Sequence, residues 1–209
     1  MRVLHGPRIT RLGAIVVGAI GLGGALGAVP VAFAQGHACD INTISATAPN
    51  EDFAPSGDGT VLHKGTQLIW MRCSLGQKWN GTTCAGEAKE YTWKGALQAV
   101  VGFNASGGFA SKNDWRLPNI KELGSIVEIQ CRLPAINVSM FPATPPWRFW
   151  SSTPDFRHPA DRGLFVNFRN GYTDDAWVED LHAVRLVRGG AGEAAFDAKV
   201  PRKGATAGH

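Results

Sequence analysis

Four cysteines, Cys39, Cys73, Cys84 and Cys131, constrain this 209-residue chain more than any other feature, because all four follow a leader that reads as an export signal. Arg2, Arg8 and Arg11 form a positive start, and no acidic residue occurs before Asp40. Leu12 to Val29 is entirely apolar or Gly. Pro30 then breaks any helix, and Ala32-Phe33-Ala34 offers the small residues that a signal peptidase needs. An uncleaved anchor is the alternative, since the apolar run approaches the roughly 20 residues of a membrane span. The glycines at 13, 18, 21, 23, 24 and 27 and the cleavage-type ending favour removal. Residues 1–34 are therefore predicted to be a signal peptide, with no membrane span after cleavage. There is no Arg-Arg pair, which points to the general secretory route, and Gly36-His37-Ala38 before Cys39 is no lipid-attachment sequence. The expected location is the periplasm, the medium or the cell surface.

An even cysteine count in an exported chain favours disulfides, and four cysteines allow three pairings. Cys73 with Cys84 is favoured because the two bracket a turn-rich stretch, Gly76 to Thr83. Closing so short a loop stabilises a fold by ~3 kcal/mol in the chain-entropy model. Cys39 with Cys131 then follows by elimination. A zinc site needs close ligand pairs such as Cys-x-x-Cys, and the sequence has none, so no metal is expected.

Cleavage also removes most of the positive charge. Three of the 21 basic side chains lie in the leader, leaving 18 against 17 acidic ones. A nearly neutral domain is a poor match for a polyanion such as nucleic acid, which is not an expected partner. The remaining length suits one domain with a core of its own. The packed unit is predicted over 57–190. A loosely ordered leader rich in Ala, Thr, Asn and Pro precedes it over 35–56, and a Gly-rich tail without apolar periodicity follows over 191–209.

Within that unit, Thr60 to His63 and Gln67 to Arg72 read as strands of a hairpin turning at Lys64-Gly65-Thr66. Trp93, Ala96, Leu97, Val100 and Val101 fall at helical spacing after the N-cap candidate Thr92. Asn119-Ile120-Lys121-Glu122 resembles a capping box and opens a second helix, with Ile120, Leu123, Val127 and Cys131 on one face. Phe149 to Thr153 and Leu164 to Phe168 read as strands, with a tight turn at Asn170-Gly171. Ala183 to Arg188 alternates as a half-buried strand should. Two helices among strands indicate an α+β fold with an antiparallel, disulfide-braced sheet.

Taken in order, these residues resemble a known family. Gly59-Thr60-Val61 leads into Leu68-Ile69-Trp70-Met71-Arg72-Cys73. Thr92-Trp93 with Ala96-Leu97 follows, then Asp114-Trp115-Arg116-Leu117-Pro118-Asn119-Ile120-Lys121-Glu122-Leu123. Phe141-Pro142, Phe149 to Pro154 and Val184 to Gly189 close the series. The series is similar to the Lcl C-terminal domain family, a bacterial domain of unknown function. The resemblance implies export, a C-type lectin-like fold, and a role in adhesion with binding of anionic glycans. The collagen-like repeat of the family's namesake is absent, so no trimeric stalk is implied. Family members often carry Cys where this chain has Leu186, so the resemblance assigns no partner to Cys39 or Cys131.

Catalytic chemistry is not in evidence. The histidines at 37, 63, 158, 182 and 209 have no ligand or relay spacing, and Ser151-Ser152 lacks a Gly-x-Ser-x-Gly elbow. No cysteine follows Cys131, so the cysteine chemistry of formylglycine-generating relatives on a similar fold is not implied. Asp114, Arg116, Arg185 and Arg188 are read as internal ion pairs. Asp174, Asp175, Glu179 and Asp180 invite calcium but lack an EF-hand pattern, and a solvated loop is preferred. No enzyme and no cofactor is expected.

Tryptophan is the suggestive residue, with seven in the chain. Trp70, Trp93, Trp115 and Trp150 lie in strand or helix patterns and belong in the core. Trp79, Trp147 and Trp177 fall in loops, with Arg148, Arg157, Arg162 and Arg169 near the last two. Flat aromatic faces suit sugar rings, and arginine forks suit sulfate or carboxylate. These seven residues are the candidate ligand site. The predicted partner is an extracellular or envelope glycan, or an envelope protein in a structural or assembly role without a small ligand.

Overall fold

Residues 37–189 are described by the computed structural model of the chain; the predicted signal peptide and the tail over 191–209 lie outside the described residues. The first strand, β1 (Ala38–Cys39), is followed by a 3-10 turn at Asn50–Asp52 and by β2 (Phe53–Pro55). The expected hairpin follows as β3 (Thr60–His63) and β4 (Leu68–Met71), with Leu62 opposite Ile69. Two short strands, β5 (Lys78–Trp79) and β6 (Cys84–Ala85), then pair with each other, and β7 (Glu90–Tyr91) leads into helix α1 (Trp93–Ala105). Helix α2 (Ile120–Gly124) and β8 (Cys131–Arg132) precede the longest strands, β9 (Arg148–Pro154) and β10 (Arg162–Asn167). The chain ends through β11 (Thr173–Trp177), β12 (His182–Ala183) and β13 (Val187–Gly189).

A five-stranded sheet, ordered β11-β10-β9-β12-β7, and a four-stranded sheet, ordered β13-β4-β3-β2, carry the fold. Nearly all pairings are antiparallel; β12 runs parallel to β9. Because side chains alternate along a strand, neighbours on β9 and β10 enter different cores. Phe149 and Val166 join Phe53, Val61, Trp70, Leu123, Ile136 and Phe141 between the two sheets. Trp150 and Phe165 join Trp115, Leu117, Leu186 and the Ala96–Val100 face of α1. The architecture is α+β, mostly antiparallel, and braced by two disulfides, Cys73–Cys84 and Cys39–Cys131.

Local chemistry explains the helices. The Thr92 hydroxyl accepts from the Gly95 N–H at 3.1 Å, capping α1. At α2 both halves of the capping box form: Asn119 Oδ1 accepts from Glu122 N at 2.9 Å, and Glu122 Oε2 accepts from Asn119 N at 2.8 Å. Arg116 grips the same Glu122 carboxylate with both terminal nitrogens, each at 2.8 Å. The preceding Trp115 is buried and donates its indole N–H to the carbonyls of Phe109 and Lys112. Asp114 accepts two bonds from Arg188, at 2.7 and 2.9 Å. The Asp-Trp-Arg-Leu-Pro-Asn run is thus one connected latch between the start of α2 and the closing strand.

Three expectations change. The helix expected to run through Val127 and Cys131 stops at Gly124. Ser125 caps it by donating to the Glu122 carbonyl, and Val127 bridges to Ile136, so Cys131 can enter β8 opposite Cys39. The single strand expected over Ala183 to Arg188 is split between β12 and β13. Val184, Arg185, Leu186 and Val187 are all buried, because this stretch crosses from one sheet to the other and is covered on every side. The composition of 35–56 gives little hint of its packing: Ala48 and Phe53 are core residues, and β2 extends the hairpin sheet. Its polar residues tie it down, Thr47 donating to the Val127 carbonyl at 2.8 Å and Glu128 accepting from the Thr47 and Ala48 amides.

Of the arginines expected in ion pairs, Arg185 has no carboxylate partner among the described residues. Its guanidinium is fully buried and donates to the carbonyls of Met71 and Arg72, to Thr144 Oγ1 at 2.7 Å and to Ser74 Oγ at 3.4 Å. It also lies 4.9 Å from the centre of the Phe141 ring. Burial pushes its pKa down to about 9, which leaves it charged at neutral pH.

Two consequences are measurable. A Cβ on Gly163 would come within 2.8 Å of the Trp93 ring, which is fixed by its indole bond to the Ser151 carbonyl. Gly163→Ala should therefore cost about 1–3 kcal/mol in chemical denaturation. Burial also lowers the pKa of His63 and of His182 from the ordinary 6.5, which favours their neutral forms in the fold. Below that value the unfolded chain takes up protons that the folded one resists, so stability should fall as pH drops from about 7 to about 5. A denaturation midpoint that stays flat over that range would contradict the burial of these imidazoles.

Candidate functional site

The candidate residues separate along strand β10. Arg148 at the head of β9 is opposite Asn167, two residues before Arg169, while Arg162 at the far end is opposite Trp177. The span from residue 162 to residue 167 is roughly 16 Å at strand rise. Trp147, Arg148 and Arg169 therefore share one end of the sheet, and Arg157, Arg162 and Trp177 share the other.

The first end is built on the loop from Phe141 to Trp147. Thr144 Oγ1 donates to the Phe141 carbonyl at 2.7 Å and accepts from buried Arg185, which fixes the loop from below. Pro145 and Pro146 keep the chain out of the sheet until Trp147, whose carbonyl accepts from Phe168 N at 2.9 Å. Gln77 crosses from the Cys73–Cys84 loop, donating to the Ala143 carbonyl at 3.0 Å and accepting from Ser74 N. Between these two loops is a cavity of about 200 Å³, walled by Trp147, Pro145, Ala143, Gln77 and Glu87. It is smaller than the roughly 300–1,000 Å³ of sites for drug-sized ligands and suits a single small ring. Trp147 is half-buried, with part of its body packed on the core. Arg148 and Arg169 are exposed, and neither has a carboxylate within ion-pair distance among the described residues. The Arg148 guanidinium sits 4.9 Å from the centre of the Phe165 ring, beside the partly exposed Tyr172.

The second end is electrostatically different. Arg162 donates to Asp175 Oδ2 at 2.6 Å, and Arg157 reaches Asp175 at 3.3 Å and Asp155 at 3.5 Å. The Arg162 guanidinium also covers the Trp177 ring at 4.1 Å. Both arginines are thus already neutralised, and Asp161, Asp174, Glu179 and Asp180 make the surroundings acidic. This end also exposes apolar side chains: Phe156 is 87% accessible and Trp177 56%. The acidic run expected as a solvated loop lies partly in β11, where Asp175 serves as the arginine anchor.

Trp79 belongs to neither end. Its ring packs on Gly59, where a Cβ would be 2.7 Å from the indole Cγ, and Gly59 has the positive φ of 90° that the approach demands. Arg72 lies 4.4 Å from the ring centre and donates to the Ser139 and Met140 carbonyls. Trp79 is a half-buried tile over the hairpin. Trp70, Trp115 and Trp150 are buried as expected, and Trp93 is partly buried.

Sequence reasoning missed Gln77 and Glu87 as cavity walls; their position in and just after a disulfide loop is the only signal that could have flagged them. It also missed a convergence of His37 with Cys39 and Cys131, whose ligand atoms lie within 4.8 Å of one another. No local spacing carries that information, because Cys131 arrives from 92 residues away.

No curated protein matches the chain. The family model for the Lcl C-terminal domain matches residues 59–188, from the first strand of the central hairpin into the closing strand. That span includes the latch around Trp115, the buried Arg185 and both ends of β10. On a match over most of its length, the chain belongs to the Lcl C-terminal domain family.

Proposed function

We propose that this is an exported, non-catalytic binding module whose ligand is an anionic glycan, held at the end of the sheet that carries Trp147, Arg148 and Arg169. One observation carries the reading: two exposed arginines without carboxylate partners among the described residues lie at the same end of the sheet as the Trp147 cavity, whereas Arg157 and Arg162 are spent on Asp155 and Asp175. A sugar ring gains contact from the indole face, and guanidinium forks bind sulfate or carboxylate bidentately. Three titratable side chains have structural places: His63 and His182 are buried, and Glu122 holds a helix cap. Export is supported by the apolar leader and by the two disulfides. The same reading takes the domain as C-type lectin-like, with the Gln77 and Thr144 loops gathered at the binding end.

A second reading, an assembly partner in the cell envelope, draws on the exposed Phe156 and Trp177 at the opposite end. Apolar surface of this kind favours protein contact.

Chromatography on immobilised heparin at low ionic strength separates the two. The proposal expects retention that weakens as salt rises. Arg148→Ala with Arg169→Ala should abolish it, and Arg157→Ala with Arg162→Ala should leave it nearly unchanged. No retention at low salt, with a specific envelope protein co-purifying through Phe156 and Trp177, would select the assembly reading instead.

A further inference from the structure

The two disulfides differ in their surroundings. Cys73 and Cys84 are both buried, at 3% and 6% accessibility, inside the loop that supports the Trp147 cavity. The other bridge joins Cys39, which is exposed, to Cys131, which is 8% accessible, across a two-residue strand pair with Cα atoms 4.0 Å apart. His37 Nε2 lies 3.6 Å from Cys39 Sγ. A second cavity, of about 280 Å³, opens beside the bridge and is lined by His37, Glu128, Asn137 and Ser139 as well as both cysteines. A reductant can reach this bridge and has room to work on it.

We propose that Cys39, Cys131 and His37 form a redox-gated metal site: a closed cross-link when oxidised, and a Cys2His set for a thiophilic dication such as Zn²⁺ when reduced. The inference is independent of the glycan reading, since the cavity beside the bridge shares no residue with the Trp147 cavity. A dithiol reductant supplies the electrons. Its thiolate attacks the exposed Cys39 Sγ, the S–S bond breaks, and the electron pair leaves on Cys131 Sγ, which takes a proton from solvent. The reductant's second thiolate then displaces Cys39 from the mixed disulfide and closes the reductant's own disulfide. The protein has gained two electrons and two protons. A dication displaces both protons from the thiols, His37 binds as the neutral imidazole, and water occupies the fourth position.

Geometry supports this set. Sulfurs on one tetrahedral metal with bonds of about 2.3 Å sit roughly 3.8 Å apart. Two side chains directly opposite on an antiparallel pair reach that separation through χ1 rotation alone. The three ligand atoms already lie within 4.8 Å of one another. Reduction does not scatter them, because other bonds hold the strap. Glu128 accepts from the amides of Thr47, Ala48 and Gln130, Gln130 Nε2 donates to the Ile44 carbonyl at 2.8 Å, and Asn137 Nδ2 donates to the Ala48 carbonyl at 3.0 Å. A site held in place before metal arrives loses little to ordering on binding.

The test uses the oxidised protein without its leader, treated with a dithiol under native conditions. Alkylation and mass spectrometry should find Cys39 and Cys131 modified while Cys73–Cys84 remains joined. Co²⁺ added to this species should bind at one equivalent with thiolate-to-cobalt charge-transfer absorption, be displaced by Zn²⁺, and give no such band with the oxidised protein. His37→Ala should weaken binding at least tenfold, on the order of a perturbed metal ligand shell, and His37→Cys should restore it. The proposal is overturned if both disulfides open together, if the reduced protein shows no cobalt–thiolate band, or if His37→Ala leaves the affinity unchanged.

Discussion

A cation with no carboxylate partner among the described residues sits where the two sheets meet. Arg185 is reached by no solvent, yet it donates to two carbonyls at the end of β4, to Ser74 at the start of the disulfide loop, and to Thr144 under the Trp147 loop. Leaving a guanidinium in a low-dielectric interior is costly unless its donors are met; here four oxygens meet its two terminal nitrogens and the face of Phe141 lies against it, while Nε has no hydrogen-bond partner among the described residues. The arrangement works because the stretch from Val184 to Leu186 runs beside the end of β4, with Leu75 N donating to the Val184 carbonyl at 2.8 Å and Met71 N to the Leu186 carbonyl at 3.0 Å. One side chain thereby couples the hairpin sheet, the Cys73–Cys84 loop and the Phe141–Trp147 loop. The two loops supply Gln77, Ala143, Pro145 and Trp147 to the cavity wall.

This coupling explains which elements were legible in the chain alone. The hairpin, the N-cap at Thr92, the capping box at Asn119 and the strands around Phe149 and Phe165 depend on neighbours a few residues away, and local pattern reports local contacts. The length of α2 was not legible, because Val127 and Cys131 continue a helical spacing although both take part in a bridge or strand to distant segments. In sequence, Arg185 reads as a member of an internal ion pair on a half-buried strand, because the pattern of Ala183 to Arg188 is what a one-sided strand presents. Only the switch between sheets buries the polar face too. The segment before residue 56 looked loose since its order comes from side-chain bonds to Glu128 and Asn137, about 80 residues on.

The candidate site shows the same boundary. Seven aromatic and basic residues were visible as a composition, but their charges were not. Arg162 is neutralised by Asp175, 13 residues later, and Arg157 by Asp155 and Asp175, whereas Arg148 and Arg169 keep theirs available among the described residues. A cluster that reads as uniformly basic in sequence is therefore two surfaces of different character, one open to anions and one apolar on an acidic ground. The family match gives this domain its relatives but no ligand, so any assignment of function rests on that electrostatic division.

If Arg185 holds the Trp147 end of the sheet together, removing its donors should loosen that end first. Amide hydrogen exchange on Arg185→Met tests this directly. The account predicts lost protection over residues 141–147 and around Ser74, with global stability reduced by about 3 kcal/mol or more, while the latch around Trp115 keeps its protection relative to the global limit. Wild-type protection across 141–147 in that variant, at undiminished stability, would show that the buried cation does not organise the site.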